Sequence, residues 1–332
     1  MAMKKKSLLV TGGLGFVGSR IVKKLYKDYD IVVLDWDTTS SSAVAQAEEF
    51  RQDSITVHLM NIADCESWKK LGGFDFIFHG AAQTAAEKSW GEGSVQDYLS
   101  NAYGTMLLAQ HALDYSEKVI YCNSIRIYDY EAVNEQMDRN GVVSEDCKKV
   151  IEATKLHPPF CISKYWGELY LRWYAQKDKT GKMQVISNRM SGIVGPGQSG
   201  SKIHGWISFL IECAEEGKEY TVYGDGEQSR DILHISDYVD LIKLQLWKFE
   251  HFSEKKFAAY NIGGGQKNRI SNNEVIDFLN VNSAEGTPRT GEPLHYVSDI
   301  KRIEQKGWAP KKTDAYEIIT DLVARYREEA KK

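Results

Sequence analysis

The sequence predicts an α/β protein in which a doubly wound parallel β-sheet is followed by a smaller, mixed α/β C-terminal lobe. Two observations support this prediction. Short apolar runs alternate with longer amphipathic segments through the first half of the chain, which is the pattern of parallel strands covered by helices on both faces. From Gly192 onward, glycine-rich polar segments interrupt this pattern, as expected of loops around a second lobe.

Six apolar runs predict the strands of the sheet. They lie at residues 7–11, 31–34, 55–59, 74–78, 118–122 and 184–188. Apolar residues at helical spacing predict helices, the clearest of them over residues 16–26, 95–115 and 157–179. Residues 129–156 break the alternation, and we expect an insertion above the sheet whose polar stretch, 134–146, is irregular.

The length of the chain indicates two domains, because a domain typically has about 150 residues and the chain has 332. We place a first domain at residues 1–190, with the insertion inside it, and a second lobe at residues 191–332. The boundary is not sharp, because late segments often return to the first sheet in folds of this kind.

Composition and charge exclude several classes of protein. The 42 Lys and Arg residues and 46 Asp and Glu residues give a net charge of −4, so no basic field calls for nucleic acid or an anionic membrane as partner. No apolar run approaches the roughly 18–20 residues that cross a bilayer, and the short apolar run after the basic start stops at glycines, unlike a signal peptide. The 5 cysteines form no C-x-x-C pair. We therefore expect a cytoplasmic protein without disulfides or a metal site.

The strongest local motif, TGGLGFVG, lies between the first predicted strand and the first predicted helix. Gly12 permits the tight turn, Gly15 lets the backbone approach a pyrophosphate, and Gly18 lets the helix pack closely on the strand. Phe16 and Val17 begin the helix, whose free N–H groups and dipole favour phosphates. This context predicts a Rossmann-like dinucleotide-binding domain.

Asp35 closes the second predicted strand. Its carboxylate can accept hydrogen bonds from the adenosine ribose hydroxyls and would repel a 2′-phosphate, which favours NAD over NADP. An aspartate at a strand end is also typical of a simple turn, but the neighbouring glycine motif favours the role in cofactor binding.

Further cofactor-binding residues are predicted after the third and fourth strands: Asn61, Ile62, Ala81, Ala82 and Gln83. In the first of these segments, Asp64 is placed to reach the adenine amino group and to cap the next helix, and the two roles are compatible. In the second, small residues let the chain run beneath the dinucleotide. We expect His79, at the start of that segment, to be structural.

Motifs farther along the chain add a specific resemblance. They are NAYGT (101–105), GIVGPGQ (192–198), YGDGEQSRDILHISD (223–237), NIGGG (261–265), PRTGE (288–292) and SDIKRIEQKGWAP (298–310). Together with the residues above, the chain resembles the extended short-chain dehydrogenases/reductases. More narrowly, it is similar to the NAD-dependent nucleotide-sugar epimerase/dehydratase family over almost its whole length.

This resemblance implies that the first domain holds NAD, with Asn101 among the cofactor-binding residues, and that the second lobe binds a nucleoside-diphosphate sugar. In that family a hydride leaves a sugar carbon, usually C4, and returns after a further step on the transient ketone. The family also implies a homodimer, with helices corresponding to residues 94–115 and 157–179 at its interface.

The resemblance assigns a catalytic group, and one member of it is missing here. The family uses a tyrosine as general base and a Ser or Thr that holds the substrate oxygen. A lysine four residues after the tyrosine binds the nicotinamide ribose and lowers the pKa of the tyrosine. Ser124 and Lys164 match, but Phe160 stands where the tyrosine is expected. No other tyrosine precedes a lysine by four residues, and Tyr165 is turned about 100° from Lys164 around the helix.

Two explanations for Phe160 remain open. One is an engineered, low-activity form of an active enzyme, since Phe keeps the shape of Tyr without its oxygen. The intact Ser124 and Lys164 favour this explanation. The other is a natural member that uses a different base or has lost activity. A non-catalytic dinucleotide sensor on the same fold is therefore an alternative function, which the intact substrate-facing residues disfavour.

The residues after Ser124 bear on the reaction. Dehydratases of the family carry an acidic pair there, whereas this chain has Ile125 and Arg126, which disfavours dehydration. Asp35 disfavours an NADPH-dependent reductase. Epimerisation remains, or oxidation at C4 with separate recycling of the cofactor. Short matches within residues 189–206 resemble CDP-tyvelose 2-epimerase-like members.

The predicted substrate-binding residues, by their match to the family, are Ser89, Ser124, Arg230 and Arg289. The two guanidinium groups suit bidentate binding of a diphosphate. A surface salt bridge is the alternative for either arginine, and the surrounding motif favours Arg230 more. Family members usually carry Asn three residues after the arginine that matches Arg189, but Gly192 stands there, so local diphosphate contacts must differ.

Overall fold

The computed structural model describes residues 4–36, 40–201 and 205–331. The strands in these ranges are β1 (Ser7–Thr11), β2 (Asp30–Asp35), β3 (Thr56–Leu59), β4 (Phe76–His79), β5 (Lys118–Ser124), β6 (Gln184–Met190), β7 (Gly192–Val194), β8 (Tyr220–Tyr223), β9 (Ser229–His234), β10 (Phe257–Ile262), β11 (Arg269–Ser271), β12 (Ser283–Gly286) and β13 (His295–Tyr296). The helices are α1 (Phe16–Leu25), α2 (Ser41–Gln52), α3 (Cys65–Trp68), α4 (Gly93–Asp97), α5 (Thr105–Tyr115), α6 (Tyr130–Asn140), α7 (Pro159–Lys177), α8 (Trp206–Glu216), α9 (Ile235–Trp247), α10 (Phe249–Ser253), α11 (Asn272–Leu279), α12 (Lys301–Glu304) and α13 (Ala315–Glu329). None of the helices in these ranges is both long and apolar enough to cross a membrane.

Seven parallel strands form the central sheet, in the order β10-β6-β5-β4-β1-β2-β3. The strand order reverses between β1 and β4, since β2 and β3 lie on one side of β1 and the later strands lie on the other. In parallel sheets a ligand binds at such a switch point, outside the carboxyl ends of the strands. The predicted α/β class with a doubly wound parallel sheet is confirmed.

Helices cover both faces of the sheet with apolar side chains at helical spacing. Helices α1 and α9 pack on one face, and helices α5 and α7 pack on the other. The fully buried side chains of these helices include Ile21, Leu25, Leu241 and Ile242 on the first face and Leu108, Ala112, Leu171 and Ala175 on the second. A separate apolar cluster joins α8, α11 and α13 in the C-terminal half. These layers fix the strand ends at which the candidate site lies.

The six predicted strands correspond to β1–β6, with ends that shift by two residues at most. The sheet also takes a strand from the second half of the chain, because β10 pairs with β6 along its whole length. The predicted helix over 95–115 is α4 and α5 joined by a π-helical turn, Tyr98–Gly104. Such turns occur often at functional sites, and this one carries Asn101.

The prediction that residues 134–146 are irregular was wrong for the first half of this segment, which belongs to α6. Asp129 caps the helix by accepting a hydrogen bond from the Glu131 amide, and Gly141 ends it in a left-handed conformation with a φ of 69°. Only Val133 and Met137 are buried on this helix. Two buried positions are too few to give a visible apolar period, so the polar composition was misleading.

Candidate active site

The loop between β1 and α1 lies so close to neighbouring backbone atoms that only glycine fits at two of its positions. Gly12 has a φ of +71°, and a Cβ there would lie 2.7 Å from the Ala81 amide nitrogen at the end of β4. A Cβ on Gly18 would lie 2.2 Å from the Gly12 carbonyl oxygen. Gly15 is the N-cap of α1, whose first turn has no side-chain cap and no acidic residue. The first amides of α1, at Phe16 and beyond, are thus available to a pyrophosphate.

Asp35 lies directly beside this loop. Its carboxylate accepts hydrogen bonds from the Leu14 amide at 2.9 Å and the Trp36 amide at 2.8 Å. The end of β2 is thereby held against the glycine turn, where the adenosine ribose of a bound dinucleotide would lie. The loop and the carboxylate together fit a dinucleotide.

The segment after β4 is held from below by Asn101. The Asn101 side chain accepts from the Gln83 amide at 3.0 Å and donates to the Gln83 carbonyl at 3.1 Å and to Ser163 at 3.1 Å. The Gln83 side chain in turn donates to Asp97 at 3.0 Å. Both side chains therefore position the Ala81–Gln83 backbone, and their polar groups form hydrogen bonds within the protein.

His79 is a structural residue. Its two ring nitrogens lie 2.7 Å from the Thr11 hydroxyl and 2.9 Å from the Thr105 hydroxyl, and its ring stacks on Tyr121. Burial lowers the pKa of His79 to about 3. The neutral imidazole therefore joins β1, β4 and α5 behind the cofactor loop.

On the adenine side of the sheet, Asp64 is used as a helix cap. Its carboxylate accepts from the Glu66 amide at 3.1 Å and from the Ser67 hydroxyl at the start of α3. Asn61 accepts from the Ala63 amide at 2.9 Å, and the buried Ile62 accepts through its carbonyl from the Trp68 indole at 2.8 Å. The structure shows Asp64 in the helix cap, and its role toward adenine stays a prediction.

Ser124, Phe160 and Lys164 meet at the carboxyl end of β5. Ser124 is the last residue of β5, and Phe160 and Lys164 lie one turn apart at the start of α7. The Lys164 ammonium donates to the Cys122 carbonyl at 2.9 Å and lies 4.4 Å from the centre of the Tyr121 ring. Burial lowers its pKa to about 8. The Phe160 ring is buried at 5% exposure and offers no atom that could accept a proton.

Ser124 and Phe160 also line a cleft of about 320 Å³ between the sheet and the C-terminal lobe. Arg230 and Arg289 line the same cleft, as the sequence analysis predicts of substrate-binding residues. Ser89 is buried and lies outside the cleft lining. Gly192 lines the cleft wall, and a Cβ there would meet no atom closer than 3.7 Å, so its lack of a side chain widens the cleft.

The cleft carries a cluster of five charged side chains, three of which the sequence analysis did not assign to the site. The cluster consists of Arg126, Arg230, Arg289, Glu87 and Glu292. Glu292 pairs with Arg126 and lies 3.8 Å from Arg230 and 3.9 Å from Arg289. Arg289 also pairs with Glu87 at 2.9 Å. The members come from distant parts of the chain, so only the fold brings them together.

The two carboxylates of this cluster differ in basicity. Burial alone would raise the pKa of Glu292, but the guanidinium groups of Arg126, Arg230 and Arg289 outweigh it and lower the pKa to about 2. The pKa of Glu87 is raised, because burial outweighs the attraction of Arg289 and Arg126. Burial lowers the pKa of Arg230 to about 10, which leaves it charged at neutral pH.

The whole chain was compared with known proteins. A family model described as NAD dependent epimerase/dehydratase matches residues 8–263. The chain belongs to this family. NAD is accordingly its cofactor, in agreement with the glycine loop and Asp35, and the protein is an enzyme by family.

Individual relatives match along nearly their full lengths. A putative UDP-glucose 4-epimerase of Methanocaldococcus jannaschii is 27% identical, covering 92% of this chain and 93% of the relative. CDP-paratose 2-epimerase of Salmonella typhi is 27% identical, covering 92% and 94%. The structure of a dTDP-glucose 4,6-dehydratase from Streptomyces venezuelae with NAD bound is 26% identical, with a TM-score of 0.81 and 98% of each chain covered.

Substitution of Gly18 tests the cofactor loop. In Gly18→Ala the new methyl group would meet the Gly12 carbonyl oxygen at 2.2 Å, so the loop must open and NAD affinity should fall by about tenfold or more. Calorimetric titration with NAD, together with the nucleotide released on denaturation, measures the loss. Gly72→Ala is the control, since a Cβ there meets no atom within 4 Å. Equal NAD affinity in the two variants would contradict the assignment.

The pKa of Lys164 predicts a pH dependence of stability. The group titrates at about 8 in the folded protein and near its ordinary value of 10.5 when unfolded, so burying the ammonium destabilises the fold most below pH 8. The cost disappears as the pH rises towards 10.5. Between pH 7.5 and 9.5, wild type should gain about 1–2 kcal/mol of unfolding free energy relative to Lys164→Met, as measured by urea denaturation. Parallel pH profiles of the two proteins would contradict the pKa.

Proposed function

We propose that this protein is an NAD-dependent epimerase of a nucleoside-diphosphate sugar. The observation that carries the proposal is the meeting of Ser124, Lys164 and the Phe160 position at one edge of a cleft that also holds Arg230 and Arg289. The two arginines suit a diphosphate, and Ser124 suits the hydroxyl of an attached sugar. The curated relatives named above include 4- and 2-epimerases of nucleotide sugars.

The roles of the residues follow from their positions. Bound NAD supplies an acceptor and donor of hydride for a secondary alcohol of the sugar. The Gly12–Gly18 loop and Asp35 would hold the dinucleotide, and Lys164 would donate to its nicotinamide ribose. Ser124 would hold the reacting hydroxyl by a hydrogen bond. Arg230 and Arg289 would hold the diphosphate, which orients the sugar towards Ser124.

Arg126 supports epimerisation over dehydration. A dehydratase needs an acidic group to protonate the leaving hydroxyl, and the guanidinium of Arg126 cannot give up a proton at neutral pH. Burial would lower the pKa of Arg126, but the neighbouring Glu292 outweighs that effect and raises it. Arg126 is therefore a permanent cation beside Ser124 and offers no acid catalysis.

Restoring a tyrosine tests the proposal. The variant Phe160→Tyr regains a hydroxyl four residues before Lys164, and general base catalysis typically contributes about 10²–10⁴-fold. We expect turnover of one sugar nucleotide to rise by up to that factor. The assay incubates the NAD-loaded variant with UDP-, GDP-, CDP- and dTDP-sugars and follows the conversion of the sugar by NMR. A variant that holds NAD and converts none of the panel would contradict the epimerase and favour a dinucleotide sensor.

We also infer a homodimer from an exposed apolar face. Ile162, Trp166 and Trp173 are exposed on one side of α7, and Val95 and Tyr98 are exposed on the neighbouring helix. Exposed apolar patches of this kind mark protein–protein contacts. The occupant we propose is the same pair of helices in a second copy, in line with the family resemblance.

A charge in this face should prevent dimer formation. Trp166→Glu would place a carboxylate in the centre of the proposed interface, where burying it unpaired costs several kcal/mol, so the variant should elute as a monomer. Light scattering after size exclusion gives the mass of each form. Trp247→Glu, at an indole 73% exposed on α9, is the matched control. If wild type is a monomer, or both variants are dimers, the inferred interface is incorrect.

A further inference from the structure

The cleft contains a carboxylate for which the proposed function has no role. Glu87 belongs to the short 3₁₀ turn Ala86–Trp90 and lines the cleft with Ser124 and Phe160. Its neighbour Ala86 packs in one apolar cluster with the Phe160 ring. Glu87 therefore faces the same cleft as the position where this chain lacks a tyrosine hydroxyl.

Two other groups that line the cleft are poorly suited to accept the proton of a substrate hydroxyl. Among the described residues that line it, the carboxylates are Glu87 and Glu292, and none is a histidine. Glu292 is held by three arginines with a pKa of about 2, which makes it a very weak base. Burial raises the pKa of Tyr220 to about 12, so its phenol keeps its proton. Of the two carboxylates among these described residues, Glu87, whose pKa is raised, is the stronger base.

The pairing of Glu87 with Arg289 links this carboxylate to the diphosphate. Arg289 lies 2.9 Å from Glu87, 3.9 Å from Glu292 and 4.3 Å from the centre of the Tyr223 ring. A diphosphate carries more charge than one carboxylate and competes for the same guanidinium. If Arg289 turns to the diphosphate, Glu87 loses its main counter-charge. Burial and the nearby Glu292 then raise the pKa of Glu87 further.

We propose that Glu87 is the proton acceptor of this chain, taking the place of the hydroxyl that Phe160 lacks. The proposal rests on the proposed function. The Glu87 carboxylate takes the proton of the sugar hydroxyl. At the same time the C–H bond of the carbon that bears this hydroxyl breaks, and the hydrogen passes with the bonding electron pair to NAD as hydride. The alcohol carbon is oxidised to a ketone and NAD is reduced. On return of the hydride to the other face, the carboxylic acid of Glu87 gives the proton back to the oxygen.

Four proteins test the assignment: wild type, Glu87→Gln, Phe160→Tyr and the double variant. Using the sugar nucleotide that Phe160→Tyr converts, we expect Glu87→Gln to lower kcat of wild type by about 10²-fold or more. In the Phe160→Tyr background the same change should cost far less, because the tyrosine serves as base. The wild-type rate should also fall on acidification as Glu87 is protonated. The rate of Phe160→Tyr should fall as its tyrosine is protonated, and Glu87→Gln should leave that decrease unchanged.

Glu92→Gln is the matched control, since Glu92 is exposed five residues further along the chain and outside the cleft lining. It should leave the rates unchanged. Equal losses of kcat in both backgrounds, or a loss confined to KM, would overturn the proposal and make Glu87 a residue that positions Arg289. Wild-type turnover unaffected by Glu87→Gln would overturn it as well.

A binding measurement tests the link between the diphosphate and Glu87 without turnover. Calorimetric titrations of UDP, CDP, GDP and dTDP into the NAD-loaded protein, in two buffers of different ionisation enthalpy near pH 6, report protons taken up on binding. Wild type should take up a fraction of a proton with the diphosphate that binds, and Glu87→Gln should take up less. Identical proton uptake in the two proteins would overturn the role of Glu87. Failure of all four diphosphates to bind would instead contradict the proposed function.

Discussion

The β1–α1 loop contacts the end of β4 at a distance that excludes any side chain at Gly12. The rest of the site depends on this close approach. It brings the carboxyl ends of β1, β2 and β4 together, so that Asp35 and the Ala81–Gln83 backbone face the same space. His79 secures the arrangement from behind through two hydroxyls. A loop one methyl group larger could not bring these strand ends together.

The second half of the site is built on β5 and α7, which continue the same sheet edge. Ser124 ends β5, and α7 crosses above it with Phe160 and Lys164 on one face. The buried Lys164 ammonium is tolerated because a carbonyl oxygen and an aromatic ring satisfy it. Phe160 fills the position four residues before Lys164 with a ring that cannot accept a proton. The proposed chemistry therefore depends on a carboxylate of the cleft as proton acceptor.

The sequence was informative wherever the signal was local. The six strands follow from short apolar runs, and the glycine loop and Asp35 follow from their strand–helix context. Ser124 and Lys164 were assigned by resemblance to the family, and the family model matches. Helix α6 was missed because it buries only two side chains. The charged cluster was missed for another reason: Glu87, Arg126 and Glu292 lie far apart in sequence, and their pKa values depend on burial and on pairing across the cleft. Arg126 was recognised only as the absence of an acidic pair.

The proposed epimerisation requires that a hydrogen leave one sugar carbon and return to the same carbon within this cleft. The most direct measurement uses the Phe160→Tyr variant, its sugar nucleotide substrate fully deuterated on carbon, and ordinary water. Mass spectrometry of the product counts the deuterium that remains. Epimerisation by return of the hydride predicts a product of inverted configuration that keeps every deuterium, because the hydride never exchanges with solvent. Loss of one deuterium per turnover would show that a carbon proton passes to water, and would contradict this mechanism.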